Sequence, residues 1–250
     1  LDDSIAMRVK FEGPEPEQRN LYWRGPVLSN FDGREWRSSG SPFGGRFPLA
    51  ANLSVSGAPL KYQVTMEQSN RPWVLLLEAA AKPPTMPGYE VVMTSELQWF
   101  ANRPITDLVR YSAESHTEFR HGPLQARGNA AIGLQQFVDL PPGFNPRTLE
   151  MAAQMRRESA LANAGGMALA QAALQRLRTG GYEYTLEPGV YGQHTADEFW
   201  FDKKAGFCEH IASSFVILMR ALDVPARIVT GYQGGQANQI DGYFIVRQSD

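Results

Sequence analysis

The 250-residue sequence has a single cysteine, few histidines and almost no net charge, and each shortage excludes a class of protein. One thiol cannot close an internal disulfide, so the fold must be held together by its core. The formal charge of −2 gives no excess of basic side chains, and we expect no nucleic-acid partner. The spacing of His116 and His121 is not typical of a metal site, and no cysteine or acidic cluster accompanies them. We therefore expect no metal and no cofactor.

Long hydrophobic runs are also absent. None approaches the ~18 apolar residues that a bilayer-spanning helix requires. Charged residues such as Asp2 and Asp3 interrupt the stretch in which a signal peptide would be apolar. The residues by themselves therefore leave the cellular location open. The composition is ordinary for a globular chain, since 43% hydrophobic and 20% charged residues can build and cover a core.

Up to residue 143 the sequence consists mainly of short β-strand patterns. Apolar and polar residues alternate at residues 7–11, Leu60–Met66 and residues 108–114, as expected for half-buried strands. Proline, glycine and serine separate such stretches, for instance in the loop at residues 38–45. The pattern predicts a β-rich domain of the sandwich or half-barrel type. The aromatic residues between positions 21 and 36 are best explained as core residues.

Composition changes at Pro141-Pro142-Gly143, and this change predicts a domain boundary. The β-rich N-terminal domain then spans residues 1–143, and a second domain spans residues 144–250. Asn145-Pro146 fits an N-cap followed by proline at the first helical position, and predicts a helix to about residue 160. A second amphipathic helix follows, and its apolar stripe consists of Met167, Ala170, Leu174 and Leu177.

The most informative stretch begins at Gly206, which can end one backbone direction and start another. Beyond it, apolar residues recur at helical spacing from Ile211 to Leu222, and the apolar face is wide enough to predict a buried helix. Cys208 lies in the first turn, where unpaired backbone N–H groups and the helix dipole favour negative charge. Both effects stabilise a thiolate, the form that attacks carbonyls, so Cys208 is the candidate nucleophile.

Other interpretations of this stretch stay open from the residues alone. A lone cysteine is more often a small buried apolar residue than a catalytic group. Catalysis is favoured by the place of Cys208 at the helix start, by its polar neighbours Glu209 and His210, and by the strand-like runs after the helix. We assign helix-entrance roles to Glu209 and His210, whereas His194 stays open as an alternative base. Trp200 is expected to line the cleft or to pack at the domain junction.

Five short motifs carry a family resemblance. Around and after the cysteine they are Gly206-Phe207-Cys208-Glu209-His210, Val224-Pro225-Ala226-Arg227-Ile228-Val229-Thr230-Gly231-Tyr232-Gln233-Gly234-Gly235 and Gly242-Tyr243-Phe244-Ile245-Val246-Arg247-Gln248-Ser249-Asp250. The helix between the first two ends at Arg220-Ala221-Leu222, which is part of the same resemblance. Upstream they are Leu21-Tyr22-Trp23-Arg24-Gly25 and Phe31-Asp32-Gly33-Arg34-Glu35-Trp36. Together these motifs resemble the transglutaminase-like superfamily, in particular its bacterial branch of inner-membrane proteins with a periplasmic transglutaminase-like domain.

The resemblance implies an α+β fold with a papain-like core, in which a buried helix carrying the nucleophilic cysteine packs against an antiparallel sheet. It implies a Cys-His-Asp triad with Cys208 as the cysteine. The histidine and aspartate are then expected to follow residues 248–250, so that residues 1–250 contain a truncated core and are inactive alone. It also implies a periplasmic domain of an inner-membrane protein, attached to the membrane only through segments outside this sequence.

The activity implied by the resemblance is transglutaminase acyl transfer, from a glutamine acyl donor to an amine acceptor. The implied partners are protein or peptide substrates, with cell-wall peptides among the candidates. A cysteine peptidase or deamidase, in which water takes the acyl group, stays open. So does a non-catalytic binding or scaffolding module of the cell envelope that keeps the same fold. We expect a reactive thiol in the enzymes and an inert, buried one in the module.

Overall fold

The computed structural model describes residues 2–44, 51–122, 133–158 and 160–250, and its secondary structure is mixed α+β. The strands are β1 (Ile5–Glu12), β2 (Tyr22–Leu28), β3 (Asn30–Phe31), β4 (Trp36–Arg37), β5 (Leu53–Ser56), β6 (Leu60–Met66), β7 (Trp73–Val74), β8 (Leu76–Leu77), β9 (Val91–Met93), β10 (Trp99–Ala101), β11 (Val109–Ser115), β12 (Glu118–His121), β13 (Glu183–Tyr184), β14 (Ala205–Gly206), β15 (Ile228–Gln233), β16 (Gln236–Ala237) and β17 (Phe244–Arg247). The helices are α1 (Pro146–Arg157), α2 (Gly166–Thr179), α3 (Thr195–Asp197) with its π-helical continuation (Glu198–Lys203), and α4 (Cys208–Ala221). Gly45, at the end of the predicted loop, lies outside the described residues.

Contacts within the chain divide it into two compact units, each built from separate stretches of sequence. The first unit comprises Leu1–Val27, Gly40–Leu124 and Val229–Asp250, and the second comprises Leu28–Ser39 and Gln125–Ile228. This division differs from a single cut after Gly143, because an early hairpin belongs to the second unit and the last strands belong to the first. That residues 1–143 and 144–250 form two separate domains therefore stays a prediction.

Strand β1 is the central strand of the main sheet in the first unit, whose order is β11-β6-β1-β17-β16. Its strands pair antiparallel, and Val9 lies opposite Val64 on one side and Phe244 on the other. Met7 and Val9 are completely buried, because alternate residues of a strand point to the same face. The three segments with alternating apolar and polar residues thus correspond to strands β1, β6 and β11.

The strands that follow α4 also belong to the first unit, but to different sheets. β15 joins a three-stranded sheet of order β15-β2-β8, whereas β17 pairs with β1. Gly231 allows the approach of β15 to β2, since a Cβ at this position would collide with the carbonyl oxygen of Trp23. Two strands that are close in sequence, β15 and β17, therefore belong to different sheets.

The core of the first unit is rich in aromatic residues whose hydroxyl groups are hydrogen-bonded. The hydroxyl of Tyr62 lies 2.8 Å from Ser115 Oγ and accepts a hydrogen bond from the backbone N–H of Leu77 (3.0 Å). Tyr111 donates to the carbonyl of Leu75 (2.7 Å). Trp23 is completely buried beside them, as expected for a core aromatic. These two tyrosine hydroxyl groups can be buried because each has a hydrogen-bond partner.

The second unit is mainly helical, and its core lies between α1, α2, α4 and the π-helical segment. Its completely buried members are Leu169, Ala173, Ala196, Phe199, Trp200 and Leu218. α1 begins at Pro146 as predicted, and ends at Arg157 because Glu158 takes an extended conformation (φ −65°, ψ 130°). With a β-rich first unit and these helices, the predicted α+β fold class is confirmed.

The apolar pattern of the sequence gives only part of the buried face of α2, since Ala170 and Leu177 pack against the core. Met167 and Leu174 belong to the predicted apolar stripe, but the two residues are 75% and 40% exposed. The fully buried residues are Leu169 and Ala173, which lie one turn apart on another face. Alanine carries little weight in a hydropathy pattern, yet its small side chain permits close helix packing. The preference for a stripe of larger residues therefore misled the prediction.

Candidate active site

Helix α4 begins at Cys208, and the backbone before it is held by a short parallel strand pair. β13 and β14 place Tyr184 opposite Gly206, and the N–H of Thr185 donates to the carbonyl of Gly206 (2.9 Å). Phe207 is the N-cap residue, in an extended conformation, and its carbonyl accepts from the N–H of Ile211 (3.1 Å). Cys208 is thus the first helical residue, and its side chain is exposed.

The helix is buried over its second half. Residues 216–220 are all buried, whereas Ile211 and Phe215 are only partly buried. The wide apolar face predicted from the sequence is therefore buried only in the C-terminal half of α4. The first turn, with Cys208 and Glu209, is exposed to solvent. A helix in this position presents its N-terminal N–H groups at a surface while its other end is fixed in the core.

A hairpin from the N-terminal part of the sequence packs on this helix. β3 and β4 place Phe31 opposite Trp36, and the two rings stack with their centroids 4.5 Å apart. The indole Nε1 of Trp36 donates to Ser213 Oγ of α4 (2.8 Å). The hairpin is therefore fixed to the helix by a directional contact as well as by apolar packing.

Arg220 fixes the other end of α4 by binding backbone carbonyls. Its side chain is 2% exposed, and it donates to the carbonyl oxygens of Ser29 (2.7 Å), Asp139 (3.0 Å) and Ala226 (2.9 Å). The guanidinium also lies 4.9 Å from the ring centroid of Trp36. The cation can be buried because its donors meet carbonyl oxygens. A single side chain thus links the helix to the hairpin and to the segments on either side.

Trp200 does not line an open cleft. Its side chain is completely buried in the core of the second unit, and its Nε1 donates to the carbonyl of Ser214 in α4 (3.2 Å). Tyr182 packs edge-on against the indole and donates from its hydroxyl to the carbonyl of Trp200 (2.9 Å). The cleft-lining role expected for Trp200 is therefore wrong, because its indole supports α4 from within the core.

His210 packs against two aromatic rings at the start of α4. Its ring centroid lies 4.5 Å from those of Phe207 and Tyr191. Its Nδ1 is buried and has no hydrogen-bond partner among the described residues. Gly206 leaves room for the imidazole, since a Cβ there would lie 2.7 Å from the His210 Cβ. The ring thus acts by packing at the helix entrance, as expected from its place in the sequence.

No sequence pattern points to Tyr191, yet it holds the backbone just before the helix. Its hydroxyl donates to the carbonyl of Ala205 (2.7 Å), and the Lys203 ammonium lies 4.9 Å from its ring centroid. Burial, together with the negative charge of Glu198, raises the pKa of Tyr191 to about 12. The phenol is therefore neutral and remains a donor at ordinary pH. Tyr191 lies in an irregular segment, where no periodic pattern of apolar residues could predict its contact with Ala205.

His194 belongs to a buried polar cluster at the starts of α1 and α3. Its Nδ1 accepts a hydrogen bond from the backbone N–H of Asn145 (3.0 Å). The side-chain oxygen of Asn145 accepts from the N–H of Ala196 (3.0 Å), and the Asp197 carboxylate accepts from the N–H of Thr148 (2.7 Å). Among the described residues, no hydrogen bond joins His194 to the sulfur of Cys208. The structure thus uses His194 to fix helix termini.

An open cavity of about 610 Å³ lies beside Tyr191 in the second unit. The hairpin turn between β3 and β4 lines one side, and Phe144, Tyr191 and Thr195 line the other. In the part of the chain that the structure covers, no group of three His, Cys, Asp or Glu side chains is placed to hold a metal ion. None of the helices described is both long and apolar enough to cross a membrane.

Two family models match this chain. Residues 1–120 match the TgpA N-terminal domain, and residues 155–250 match the transglutaminase-like superfamily. The second match contains α4 and Cys208, and the first contains the hairpin that packs on α4.

Relatives with known names or structures are also similar. The chain is 32% identical over 247 residues to a protein-glutamine gamma-glutamyltransferase of Pseudomonas aeruginosa, which covers 98% of this chain and 35% of that protein. This chain therefore spans about a third of the length of that relative. A 40-residue stretch, 16% of this chain and 5% of the relative, is 42% identical to the uncharacterized protein YebA of Bacillus subtilis.

The fold matches a solved structure over almost its whole length. The crystal structure of the periplasmic domain of TgpA from Pseudomonas aeruginosa gives a TM-score of 0.85 at 31% identity, covering 99% of this chain and 81% of that one. The same domain bound to ethylmercury gives 0.85 at 30% identity, covering 99% and 83%. The likeness to a periplasmic domain confirms the periplasmic part of the expected location. By sequence and by fold, this chain belongs to the transglutaminase-like superfamily, as a periplasmic domain of the TgpA type.

Proposed function

We propose that this chain supplies the nucleophile of a protein-glutamine acyltransferase, and that the nucleophile is Cys208. The observation that carries the proposal is the exposure of Cys208 as the first residue of α4, whose far half is anchored in a core. A cysteine enclosed in the core would favour a non-catalytic module, and this position does not fit it. The Pseudomonas aeruginosa relative named protein-glutamine gamma-glutamyltransferase supports the choice of reaction.

The proposed reaction has two acyl-transfer steps. The Cys208 thiolate attacks the carbonyl carbon of a glutamine side chain, forming a C–S bond and a tetrahedral oxyanion. The oxyanion collapses, the C–N bond breaks, and ammonia leaves with a proton from the general acid. A primary amine then attacks the thioester, loses a proton and forms the new C–N bond, while the C–S bond breaks and the thiolate returns.

The start of α4 contributes electrostatic stabilisation to both steps. The first N–H groups of a helix have no partner within the helix, and the helix dipole places partial positive charge there. Cys208 is the first helical residue, so its own N–H is the oxyanion donor that we propose. The packing of His210 and the Tyr191 hydrogen bond to Ala205 would hold this N–H in place during the reaction.

We place the histidine and the aspartate of the triad in the sequence that follows residues 248–250, as the resemblance implies. The proposal is supported by the roles of the nearby histidines, since His194 Nδ1 is occupied by the N–H of Asn145 and His210 Nδ1 is enclosed. General acid–base catalysis typically contributes about 10²–10⁴-fold. A protein limited to residues 1–250 should therefore turn over slowly or not at all.

The test compares wild-type and Cys208→Ala forms of the full-length protein for incorporation of a fluorescent primary amine into a glutamine-containing protein. We expect incorporation by the wild type and none by the variant, with equal midpoints of urea unfolding because the side chain is exposed. Equal rates for the two proteins would reject Cys208 as the nucleophile.

Two product assays separate the alternatives. Ammonia release that does not depend on added amine indicates a deamidase, and cleavage of the peptide chain indicates a peptidase. Binding of a periplasmic protein with neither product, together with a thiol that does not react, indicates a scaffolding module. We also propose, as the resemblance implies, that the protein is attached to the inner membrane through segments outside residues 1–250 and that its substrates belong to the cell envelope.

A further inference from the structure

We propose that the cavity beside Tyr191 binds a carboxylate group of an acidic peptide substrate, and that Arg34 is the residue that pairs with it. The inference rests on the proposed acyl transfer, because it concerns the chemistry of the acyl donor. It names a substrate preference that the reaction itself does not require.

The cavity has the size of a ligand subsite. Its volume of about 610 Å³ lies within the ~300–1,000 Å³ that is common for small-molecule sites. The hairpin turn contributes charged residues, and the opposite side contributes Phe144, Tyr191, Gly192 and Thr195. A peptide segment could therefore contact polar groups on one side and aromatic surface on the other.

The charged side of the cavity is held rigidly. The hairpin is fixed to α4 by the hydrogen bond from Trp36 to Ser213 (2.8 Å) and by Arg220, which donates to the carbonyl of Ser29 (2.7 Å). Gly33 is buried in the turn, at φ 107°, and a Cβ there would collide with the ring of Phe144. Its lack of a side chain thus lets the turn rest on the opposite side of the cavity.

Most of the charges in the turn satisfy each other. Arg37 forms ion pairs with Asp32 (3.2 Å) and Glu35 (2.8 Å). Asp32 Oδ1 also accepts from the N–H groups of Arg34 (2.9 Å) and Glu35 (2.8 Å). Both carboxylates therefore have donors, and these interactions hold the pKa of Asp32 below its usual range, chiefly through the backbone N–H of Glu35.

Arg34 differs from these residues, because its guanidinium forms no hydrogen bond or ion pair with the residues that the structure covers, and its charge only adds a minor part to the lowered pKa of Asp32. It lines the cavity and is exposed. A guanidinium offers only donors, in a planar arrangement that matches a carboxylate. Since Arg37 pairs with both carboxylates of the turn, Arg34 is the charged side chain of the turn that has no ion pair among the described residues.

The cavity is connected to the candidate nucleophile through Tyr191. This residue lines the cavity, contacts the ring of His210, and donates to the carbonyl of Ala205, shortly before Cys208. A peptide whose acidic residue pairs with Arg34 would pass Tyr191 on the way to the start of α4. We therefore infer a preference for acyl-donor peptides with an acidic residue near the reactive glutamine.

The experiment uses the full-length protein and a set of glutamine peptides that differ in one neighbouring residue, which is Asp, Asn or Lys. Arg34→Gln, Arg34→Glu and the control Arg178→Gln are compared with the wild type. Arg178 is an exposed arginine of α2 that does not line the cavity. The readouts are kcat/KM for amine incorporation and, independently of turnover, peptide affinity measured by calorimetry on the Cys208→Ala background.

We expect the wild type and Arg178→Gln to favour the Asp over the Asn peptide by about fivefold, the order of a partly exposed ion pair. The preference should disappear in Arg34→Gln and reverse toward Lys in Arg34→Glu. An unchanged Asp-to-Asn ratio in Arg34→Gln, or a wild-type preference for Lys, would overturn the inference. Absence of turnover with the calorimetric preference intact would reject the proposed function and leave the subsite standing.

Discussion

Asn145 and Asp197 cap each other's helices. Asn145 lies at the N-cap position of α1, yet its side-chain oxygen accepts from the N–H groups of Ala196 (3.0 Å) and Asp197 (3.4 Å) in α3. In return, Asp197 accepts from the N–H groups of Arg147 (3.0 Å) and Thr148 (2.7 Å) in α1. Both side chains are buried, so the two helix starts form one polar cluster within the second unit.

Asp197→Ala should lower the free energy of unfolding by about 2–3 kcal/mol, because it leaves first-turn N–H groups of α1 and the buried hydroxyl of Thr148 without an acceptor. Urea unfolding followed by circular dichroism measures the loss. The control is Asp202→Asn, which alters a half-exposed ion pair with Arg147 and should cost less than about 1 kcal/mol. Equal losses in the two variants would show that the buried cap adds nothing.

Arg220→Lys should destabilise the protein strongly although it keeps the charge. A single ammonium cannot reach the carbonyls of Ser29, Asp139 and Ala226 together, and it fits less well over the Trp36 ring. We expect a loss of about 2–4 kcal/mol, the range for a buried charge left partly unpaired. Arg178→Lys, on the exposed face of α2, is the matched control. Similar midpoints of unfolding for both variants would contradict the anchoring role of Arg220.

Cys208 should react with iodoacetamide in the folded protein. Its side chain is exposed in the first turn of α4, so labelling does not require unfolding. Mass spectrometry of peptides after a short reaction at neutral pH identifies the labelled residue, and the Cys208→Ala protein shows the background. Labelling that appears only in denaturing urea would support the inert-thiol interpretation and weaken the proposed mechanism.

Stability should fall with rising pH in a manner that depends on Tyr191. Its pKa is raised to about 12, against about 10 in an unfolded chain, so the folded protein retains the phenolic proton where the unfolded chain loses it. The stabilising contribution is complete below about pH 10 and is lost as the pH rises towards 12.

Urea midpoints between pH 8 and 11 for the wild type and Tyr191→Phe test this linkage. The variant should be less stable by about 1 kcal/mol at pH 8, where it lacks the hydrogen bond to Ala205. The gap should narrow above pH 10. Tyr184→Phe, an exposed neighbour, should leave both the midpoint and its pH slope unchanged. A gap that stays constant up to pH 11 would exclude Tyr191 as the titrating group.

Local patterns in the sequence predict helices and strands better than they predict the contacts between them. The alternation around Val9 and the apolar repeat after Cys208 identify β1 and α4, because those periods reflect which face is buried. The Asn145-Pro146 pair marks the start of α1, but the side chain that caps this helix is that of Asp197, some fifty residues later. Nothing in the sequence near Asn145 indicates that Asp197 accepts from the N–H groups at the start of α1.

The candidate site shows the same limit. Cys208 stands out because it is the only thiol and begins an apolar helix, whereas Trp36 and Tyr191 reach the helix from hairpin and irregular segments. For Trp200 the sequence leaves two interpretations open, a cleft residue or one packed at the domain junction, because nothing local reveals that Ser214 accepts from its indole. Resemblance to a family supplies the proposed reaction, and only the fold shows which side chains hold Cys208 in place.

The position of β1 between β6 and β17 imposes an order on assembly. Ile5 is paired with Arg247, so one edge of β1 stays open until residues 244–247 have been made. Open strand edges attract other chains, and such distant pairing slows folding. During synthesis and export, the first unit would depend on delayed collapse, or on a holding factor, to avoid aggregation. Truncations that remove residues 244–247 should therefore yield insoluble protein, whatever their effect on catalysis.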